Sequence, residues 1–291
     1  MRAANMNSSR RLKGLEEVAP YYDGFILDLW GVVHDGIAPL SYTLDTLQAL
    51  RAAKRIVWLL SNAPRRVHVV QQQLDAMGIT QDLYDGVLTS GEAARMALRD
   101  QYLQKWGRRC FHLGPERDQS IFDDLDIDVV QAPDAADFII NSGVYDMHND
   151  TPDRYTPVLT ACADKKLPML CANPDKVVYV GDRLVLCPGT LAEMYEKMDG
   201  PVTYVGKPHR AVYRHVLENM GLQKVLAVGD SMTTDIAGAV GAGLDSALVL
   251  TGIHRKALFG EDGAWLGENH LQNLMKPYPY RPQYVIDHFR W

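Results

Sequence analysis

Cysteine is scarce in this sequence, with four residues in a chain of 291 and no C-x-x-C pair. Small secreted domains held together by disulfides are dense in cysteine, so that class of protein is excluded. The nine histidines show no H-E-x-x-H motif and no paired Cys/His spacing, which argues against a zinc site. We therefore expect reduced thiols and a cytoplasmic protein.

Long apolar runs and dense basic runs are also missing. No stretch of about 18 apolar residues occurs, so we expect no membrane-spanning helix, and residues 1–24 lack the apolar region of a secretory signal. The net charge is −6, and basic residues cluster only in short groups such as Arg10-Arg11 and Arg65-Arg66. Because nucleic-acid binding relies on basic patches, we expect neither a nucleic-acid partner nor a membrane partner.

The apolar fraction, by contrast, is substantial: 47% of the residues are hydrophobic and 23% are charged. A chain of this composition can bury a core, so disorder as the main state is excluded. A length of 291 residues fits two domains, or one large domain with an insertion.

Short apolar runs alternate with stretches of helical spacing along most of the chain. Strands are predicted over 25–29, 56–60, 84–90, 202–206, 225–229 and 246–250, and helices over about 44–53, 67–77, 212–220 and 233–242. This alternation predicts an α/β fold with a doubly wound parallel sheet and helices on both faces. Residues 284–287 are predicted to form a last edge strand.

The middle of the chain has strand candidates of its own, at 110–114, 137–143 and 167–175. Turns rich in proline and aspartate separate these candidates. We therefore predict a discontinuous core domain formed by 1–88 and 188–291, with a second α/β domain inserted at 89–187.

Polar side chains follow the ends of four predicted core strands: Asp28, Ser61 with Asn62, Lys207, and Asp230 with Asp235. In open α/β sheets ligands bind at the carboxyl ends of the strands, so these side chains can share one pocket. Mg²⁺ prefers hard oxygen ligands, such as one or two carboxylates together with phosphate oxygens. Lys207 would then neutralise phosphate charge, Ser61 would hold its oxygens, and Asp28 would attack phosphorus to form an aspartyl-phosphate.

Each of these residues also has an ordinary structural explanation. Asp28 and Ser61 suit turns or helix caps, Lys207 suits a solvated surface, and a Gly-Asp pair such as the one ending at Asp230 suits a loop before a helix. Their occurrence in this order, each after an apolar strand, favours a shared functional site.

Seven motifs span the chain from about residue 22 to residue 252: DLWGVVHDG (28–36), LLSNAPR (59–65), VLTSGEAA (87–94), CANPD (171–175), PGTLAEMY (188–195), VGKPH (205–209) and VGDSMTTDIAGAVGAG (228–243). In this combination they resemble the haloacid dehalogenase (HAD) superfamily, and within it the class IIA phosphatases, which include p-nitrophenyl phosphatases. The resemblance implies a Rossmann-like core with an inserted α/β cap of the C2 type, which would cover the site and select the substrate.

The resemblance also implies a role for each matching residue. The Mg²⁺ ligands would be Asp28, the backbone carbonyl of Trp30 and Asp230, and Asp235 would be a further ligand or would support one of these. Asp28 would also be the nucleophile. The phosphate-binding and substrate-binding residues would be Ser61, Asn62, Arg65, Lys207, Asn173 and Asp175, the last two near the junction of cap and core.

One position departs from the family pattern. The family pattern is D-x-D, and its second Asp protonates the leaving oxygen and then activates water. This chain has Trp30 at the position of the second Asp. His34 and Asp35 follow in the same loop and are candidates to replace it, and His34 has the more suitable ordinary pKa. Otherwise the substrate has a good leaving group, or the chain is a slow phosphatase or a non-phosphatase.

The leading hypothesis is a Mg²⁺-dependent phosphatase for a small phosphorylated metabolite, of the vitamin B6 phosphate or sugar phosphate type. Its alternative is a protein that binds phosphate esters, with a regulatory role and little or no turnover. A hydrolase that cleaves C–P bonds is disfavoured, because no lysine stands in a distinctive context for a Schiff base. The cap surfaces of related proteins often support dimers, so a homodimer remains open.

Overall fold

A computed structural model of the chain describes residues 9–291. The chain divides into two compact units. The first comprises the chain up to Leu60, Leu74–Val87 and Tyr213–Trp291, and the second comprises Ser61–Gln73 and Leu88–Val212.

Strands and helices alternate through both units. The strands are β1 Arg10–Leu12, β2 Gly24–Leu27, β3 Ile56–Ser61, β4 Gly86–Thr89, β5 Arg109–Leu113, β6 Asp128–Val130, β7 Phe138–Asn141, β8 Met169–Cys171, β9 Val177–Val180, β10 Arg183–Leu186, β11 Val202–Tyr204, β12 Val225–Gly229, β13 Asp245–Val249 and β14 Tyr284–Ile286. The α-helices are α1 Thr43–Ala52, α2 Val67–Ala76, α3 Ser90–Ala97, α4 Leu103–Trp106, α5 Thr156–Asp164, α6 Pro188–Glu196, α7 Arg210–Met220, α8 Ala237–Ala242, α9 Arg255–Leu258 and α10 Glu268–Met275. Two π-helical turns occur, Leu98–Tyr102 and Met232–Ile236, and the 3₁₀ turns are Leu15–Glu17, Ala19–Tyr21, Gln81–Leu83, Glu116–Phe122, Pro133–Ala135 and Pro152–Tyr155.

The first sheet has seven strands in the order β1-β14-β13-β12-β2-β3-β4. The strands from β1 to β3 pair in parallel, and Leu27 of β2 lies opposite Val228 of β12. Every residue of β2 and β12 is buried, as expected for central parallel strands with both faces covered. The loops that follow β2 and β12 therefore begin side by side at the carboxyl edge of the sheet.

The second sheet has five parallel strands in the order β11-β8-β7-β5-β6. Two buried clusters flank it, one built around Tyr155 and Tyr195 and the other around Phe138. Strands β9 and β10 form a separate antiparallel hairpin. The sequence therefore forms an α/β fold with parallel sheets, as predicted.

Two strand predictions were wrong. Residues 202–206 were predicted to join the core sheet, but β11 pairs with β8 of the second sheet. Hydrogen bonds on either side of β11 hold it there, because the Met169 N–H donates to the Pro201 carbonyl and the Val205 N–H donates to the Cys171 carbonyl. Strand β14 was predicted at an edge, but it lies between β1 and β13 because the three-residue β1, too short to show any periodicity, covers it.

The domain boundaries stay a prediction. The second unit is larger than the predicted insertion 89–187, since it contains Ser61–Gln73 and continues to Val212. Residues 1–8 of the predicted core domain lie outside the described part of the chain.

The four cysteines are free thiols, as expected, and all of them are buried. Burial raises the pKa of the Cys162 thiol to about 12, so it is protonated and inert near neutral pH. Among residues 9–291, none of the helices combines the length and the apolar character needed to cross a membrane.

Candidate active site

Three carboxylates of the first unit meet at the carboxyl ends of β2 and β12. One oxygen each of Asp28, Asp230 and Asp235 lies within 4.8 Å of the others, and all three residues are buried. Asp28 directly follows β2, where its N–H donates to the carbonyl of Val228 over 2.9 Å. Three buried like charges repel unless a cation is shared between them. The cluster therefore fits a hard divalent cation such as Mg²⁺, whose preferred ligands are carboxylate oxygens.

Two glycines make room for the Asp230 carboxylate. A Cβ atom on Gly31 or on Gly252 would lie 2.1 Å from Asp230 Oδ2, much closer than atoms can approach. The same Oδ2 accepts a hydrogen bond of 2.6 Å from the N–H of Ile253. Gly31 also has a φ of +79°, which glycine adopts without strain. The backbone therefore encloses this oxygen and fixes the orientation of the carboxylate.

Asp235 is held on the π-helical turn Met232–Ile236, a feature frequent at functional sites. The N–H of Ser231 donates to Asp235 Oδ2 over 3.1 Å, and the hydroxyl of Tyr213 donates to the Asp235 carbonyl over 3.2 Å. A Cβ on Gly229 would lie 2.2 Å from Asp235 Cγ. The glycine before Asp230 is therefore required by the position of Asp235.

The close approach at Gly31 predicts a loss of metal affinity in Gly31→Ala. The added methyl group displaces the Asp230 carboxylate, and we expect Mg²⁺ to bind about 10–100-fold more weakly, as measured by calorimetry. Gly78→Ala is the matched control, because Gly78 has the same φ of +79° and an added Cβ would meet nothing within 4 Å. If both variants bind Mg²⁺ equally well, Asp230 is not a metal ligand.

The loop after β2 brings Trp30 and His34 together. Their rings meet edge to face with centroids 5.1 Å apart, and a Cβ on Gly36 would lie 2.3 Å from the Trp30 ring. His34 is 1% exposed, and its Nδ1 accepts a hydrogen bond of 2.9 Å from the Gly36 N–H. A neutral His34 with Nδ1 as acceptor carries its proton on Nε2.

The Asp35 side chain forms hydrogen bonds within its own turn. Its Oδ1 accepts hydrogen bonds of 2.9 Å from the N–H groups of Ile37 and Ala38. Burial raises the pKa of the Asp35 carboxyl, but the hydrogen bonds from Ala38 and Ile37 outweigh it, so the pKa lies below its ordinary value. A carboxylate held ionised in this way is a poor proton donor.

A second group of predicted site residues is assembled within the second unit. Asn62 Oδ1 accepts the N–H of Lys207 over 2.8 Å, while Asn62 Nδ2 donates to the Lys207 carbonyl over 3.2 Å and to Asp175 Oδ1 over 3.1 Å. Asn173 Oδ1 accepts the N–H of Asp175 over 2.8 Å. Lys207 itself is 3% exposed. Asn62 therefore fixes the backbone that carries the buried lysine.

Close backbone contacts explain two motifs near this group. A Cβ on Gly206 would lie 2.6 Å from Asn62 Oδ1, so the residue before Lys207 must be glycine. The N–H of Gly189 donates to the Asp175 carbonyl over 3.0 Å, and a Cβ there would lie 2.2 Å from the Pro174 oxygen. The Asn-Pro-Asp segment and the Pro-Gly pair that starts α6 therefore pack against each other.

Arg65 was predicted from the resemblance to contact phosphate. Its Nε donates to Asp118 Oδ1 over 3.2 Å and its Nη1 donates to Gln73 Oε1 over 3.3 Å. No sequence pattern had drawn attention to Asp118, which lies in a 3₁₀ turn 53 residues further along the chain. Ligation by the Trp30 carbonyl stays a prediction.

Two family models match the chain. The one described as haloacid dehalogenase-like hydrolase matches residues 25–128, and one for HAD-hydrolase-like proteins matches residues 204–291. The crystal structure of a hydrolase of the haloacid dehalogenase-like family from Brucella suis is 32% identical and has a TM-score of 0.81, with 95% of this chain and 99% of that chain covered. The chain therefore belongs to the haloacid dehalogenase-like hydrolase family, as its motifs predicted.

Curated relatives carry the names of phosphatases. The D-glycerol 3-phosphate phosphatase of Mycobacterium tuberculosis is 26% identical over 82% of this chain, and the match spans 66% of that protein's length. The 4-nitrophenylphosphatase of Schizosaccharomyces pombe is 23% identical over 91% of this chain and 96% of that protein. The resemblance to class IIA, which includes p-nitrophenyl phosphatases, is confirmed.

Proposed function

We propose that this chain is a phosphoric monoester hydrolase that requires a divalent metal and acts on a small phosphorylated metabolite. The observation that carries the proposal is the cluster of three buried carboxylates, Asp28, Asp230 and Asp235, with oxygens within 4.8 Å of one another. The relatives named for glycerol phosphate and nitrophenyl phosphate support the same reaction. Within this class, a sugar phosphate or a vitamin B6 phosphate is the substrate type that we propose.

Asp28 is the nucleophile in this proposal. Its carboxylate oxygen attacks phosphorus, the ester P–O bond breaks, and the leaving oxygen takes a proton from the imidazolium form of His34, which becomes neutral. Water then attacks the aspartyl-phosphate and loses its proton to His34, which releases phosphate and restores both residues. Mg²⁺ bound by the three carboxylates would neutralise phosphate charge and orient the ester.

The phosphate-binding side chains in this proposal are those that the family resemblance implies. The hydroxyl of Ser61, the backbone N–H of Asn62 and the ammonium group of Lys207 would hold the phosphate oxygens. The inserted segment 89–187 would act as a C2-type cap that excludes water and selects the substrate. Asp175, which accepts a hydrogen bond from Asn62, and Asn173 would shape the substrate entrance.

A protein that binds phosphate esters without turning them over is the second candidate. Trp30 motivates it, because the indole that stands in place of the family's second Asp has no acid–base chemistry. In our proposal His34, which follows in the same loop, replaces that Asp, and for this reason we favour the enzyme.

Metal removal distinguishes the two candidates. We expect the purified protein to release phosphate from glycerol phosphate, sugar phosphates, pyridoxal phosphate or nitrophenyl phosphate in Mg²⁺, to lose this activity in EDTA, and to regain it when Mg²⁺ is restored. Release that is unchanged by EDTA would contradict the metal-dependent mechanism. Binding of the esters by calorimetry, with no phosphate released from any of them, would establish the binding protein instead.

We also propose a cytoplasmic location, since buried free thiols suit a reducing compartment. Association through the cap into a homodimer is part of the proposal. Light scattering of the purified protein, which measures mass in solution, distinguishes a dimer from the 32.6 kDa monomer.

A further inference from the structure

Ser61 ends β3, Asn62 begins the segment that joins β3 to α2, and the start of α3 holds residues 63–65 of this segment. The Ala63 carbonyl accepts the N–H of Gly91 and the hydroxyl of Ser90, each over 3.1 Å. The Arg65 carbonyl accepts the hydroxyl of Thr89 over 2.5 Å. A Cβ on Gly91 would lie 2.3 Å from the Arg65 nitrogen. The backbone of residues 63–65 therefore has little freedom.

The side chain of Arg65 continues this attachment into the interior of the second unit. Asp118, which accepts a hydrogen bond from Arg65 Nε over 3.2 Å, is 2% exposed. The Ser142 hydroxyl lowers the pKa of the Asp118 carboxyl, and Ser142 Oγ lies 2.8 Å from His112 Nε2. Gln73 of α2 accepts a second hydrogen bond from Arg65. Arg65 therefore links the phosphate-binding segment to a buried polar network.

Burial disfavours the charged forms of both Asp118 and Arg65. Burial raises the pKa of Asp118 to about 6, although the guanidinium groups of Arg65 and Arg117 act in the opposite direction. Burial likewise lowers the pKa of the Arg65 guanidinium. A buried ion pair of this kind adds little stability compared with apolar packing, whereas removing one partner leaves an uncompensated charge. Its value to the protein lies in the geometry that it imposes.

We propose that Arg65 and Asp118 form a positioning pair for the phosphate-binding segment. Asp118 holds the guanidinium group, and the guanidinium group holds the chain that presents Ser61 and Asn62. Arg65 does not bind the phosphate itself. The inference rests on the proposed function, because it assumes that Ser61 and Asn62 bind a phosphate group.

A double-mutant cycle tests the pair. Arg65→Gln, Asp118→Asn and the double variant are compared at pH 8, where Asp118 is ionised. We expect each single variant to raise the KM for ester and the Kd for inorganic phosphate, measured by calorimetry in Mg²⁺, by about tenfold, with kcat changed by less than about threefold. The double variant should bind phosphate no more weakly than the weaker single variant, because the two residues act as one unit.

A direct phosphate contact gives a different pattern. If Arg65 binds phosphate, Arg65→Gln loses affinity while Asp118→Asn keeps wild-type affinity or exceeds it, and the proposal is overturned. Additive losses in the double variant overturn it as well. Arg51→Gln is the matched control, since Arg51 pairs with Asp85 over 2.7 Å in the first unit and its loss should lower the melting temperature without changing phosphate affinity.

A second variant covers the case in which a charge variant does not fold. Gln73→Ala leaves both charges in place and removes one hydrogen bond from Arg65, so we expect phosphate to bind about threefold more weakly. Unchanged affinity in that variant would overturn the proposal. Failure of the proposed function has a separate signature, since the wild type would then release no phosphate in Mg²⁺, while calorimetry would still report on the pair.

Discussion

Asp28→Asn is expected to lower kcat by about 10⁴-fold or more, because an amide cannot act as the nucleophile that attacks phosphorus. The substitution preserves the size of the side chain, and the N–H of residue 28 keeps its hydrogen bond to Val228. Steady-state phosphate release in Mg²⁺ measures the loss. Acid-quenched wild-type enzyme should retain phosphate covalently bound to the protein, and the variant should not.

The same variant should be more stable than the wild type when no metal is present. Asp28, Asp230 and Asp235 place three carboxylate oxygens within 4.8 Å, so neutralising one of them removes repulsion. We expect a higher melting temperature in EDTA and a smaller increase on adding Mg²⁺, since metal binding stabilises only a folded site. A loss of activity together with a gain in stability would indicate that Asp28 serves the reaction and not the stability of the fold.

Asp45→Asn is the control for both measurements. Asp45 is an exposed residue of α1 in the first unit, so its substitution changes the net charge equally without touching the carboxylate cluster. If Asp28→Asn keeps activity within about tenfold of this control, Asp28 is not the nucleophile and the covalent mechanism fails.

The sequence was sufficient to predict most of the core sheet and the carboxylate cluster. Parallel strands buried on both faces are continuous apolar runs, so the sequence shows where they end. Because ligands bind at the carboxyl ends of such strands, Asp28 and Asp230 were selected as site residues. Asp235, five residues after Asp230, was selected with it as part of the same motif. In each case the information is local, within a few residues of a strand.

Features that depend on distant parts of the chain were missed. Nothing in the sequence around β11 indicates that it pairs with β8 rather than with the core sheet. The sequence also does not show that residue 252 must be glycine. That requirement follows only from the close approach of the Asp230 carboxylate to the backbone of Gly252 in the structure. Asp118 meets Arg65 from 53 residues away, and no spacing rule connects them. Tertiary contacts, and not local patterns, impose these choices.

His34→Gln is expected to lower kcat by about 10²–10⁴-fold with an alkyl phosphate such as glycerol phosphate, the range typical of general acid–base catalysis. The alkoxide leaving group of that ester needs a proton as the P–O bond breaks. Nitrophenyl phosphate has a much better leaving group, so its cleavage should be lowered far less. Parallel assays of the two esters with wild type and variant measure this difference.

The comparison between esters is what identifies the role. A variant that merely disturbs the loop between Asp28 and Gly36 should slow both esters alike, whereas loss of an acid should slow mainly the alkyl ester. His68→Gln, at an exposed position on α2, controls for the loss of an imidazole. Equal losses with both esters, or none, would show that His34 carries no proton for the leaving group. Because Trp30 cannot supply a proton either, the chain would then cleave only substrates with good leaving groups.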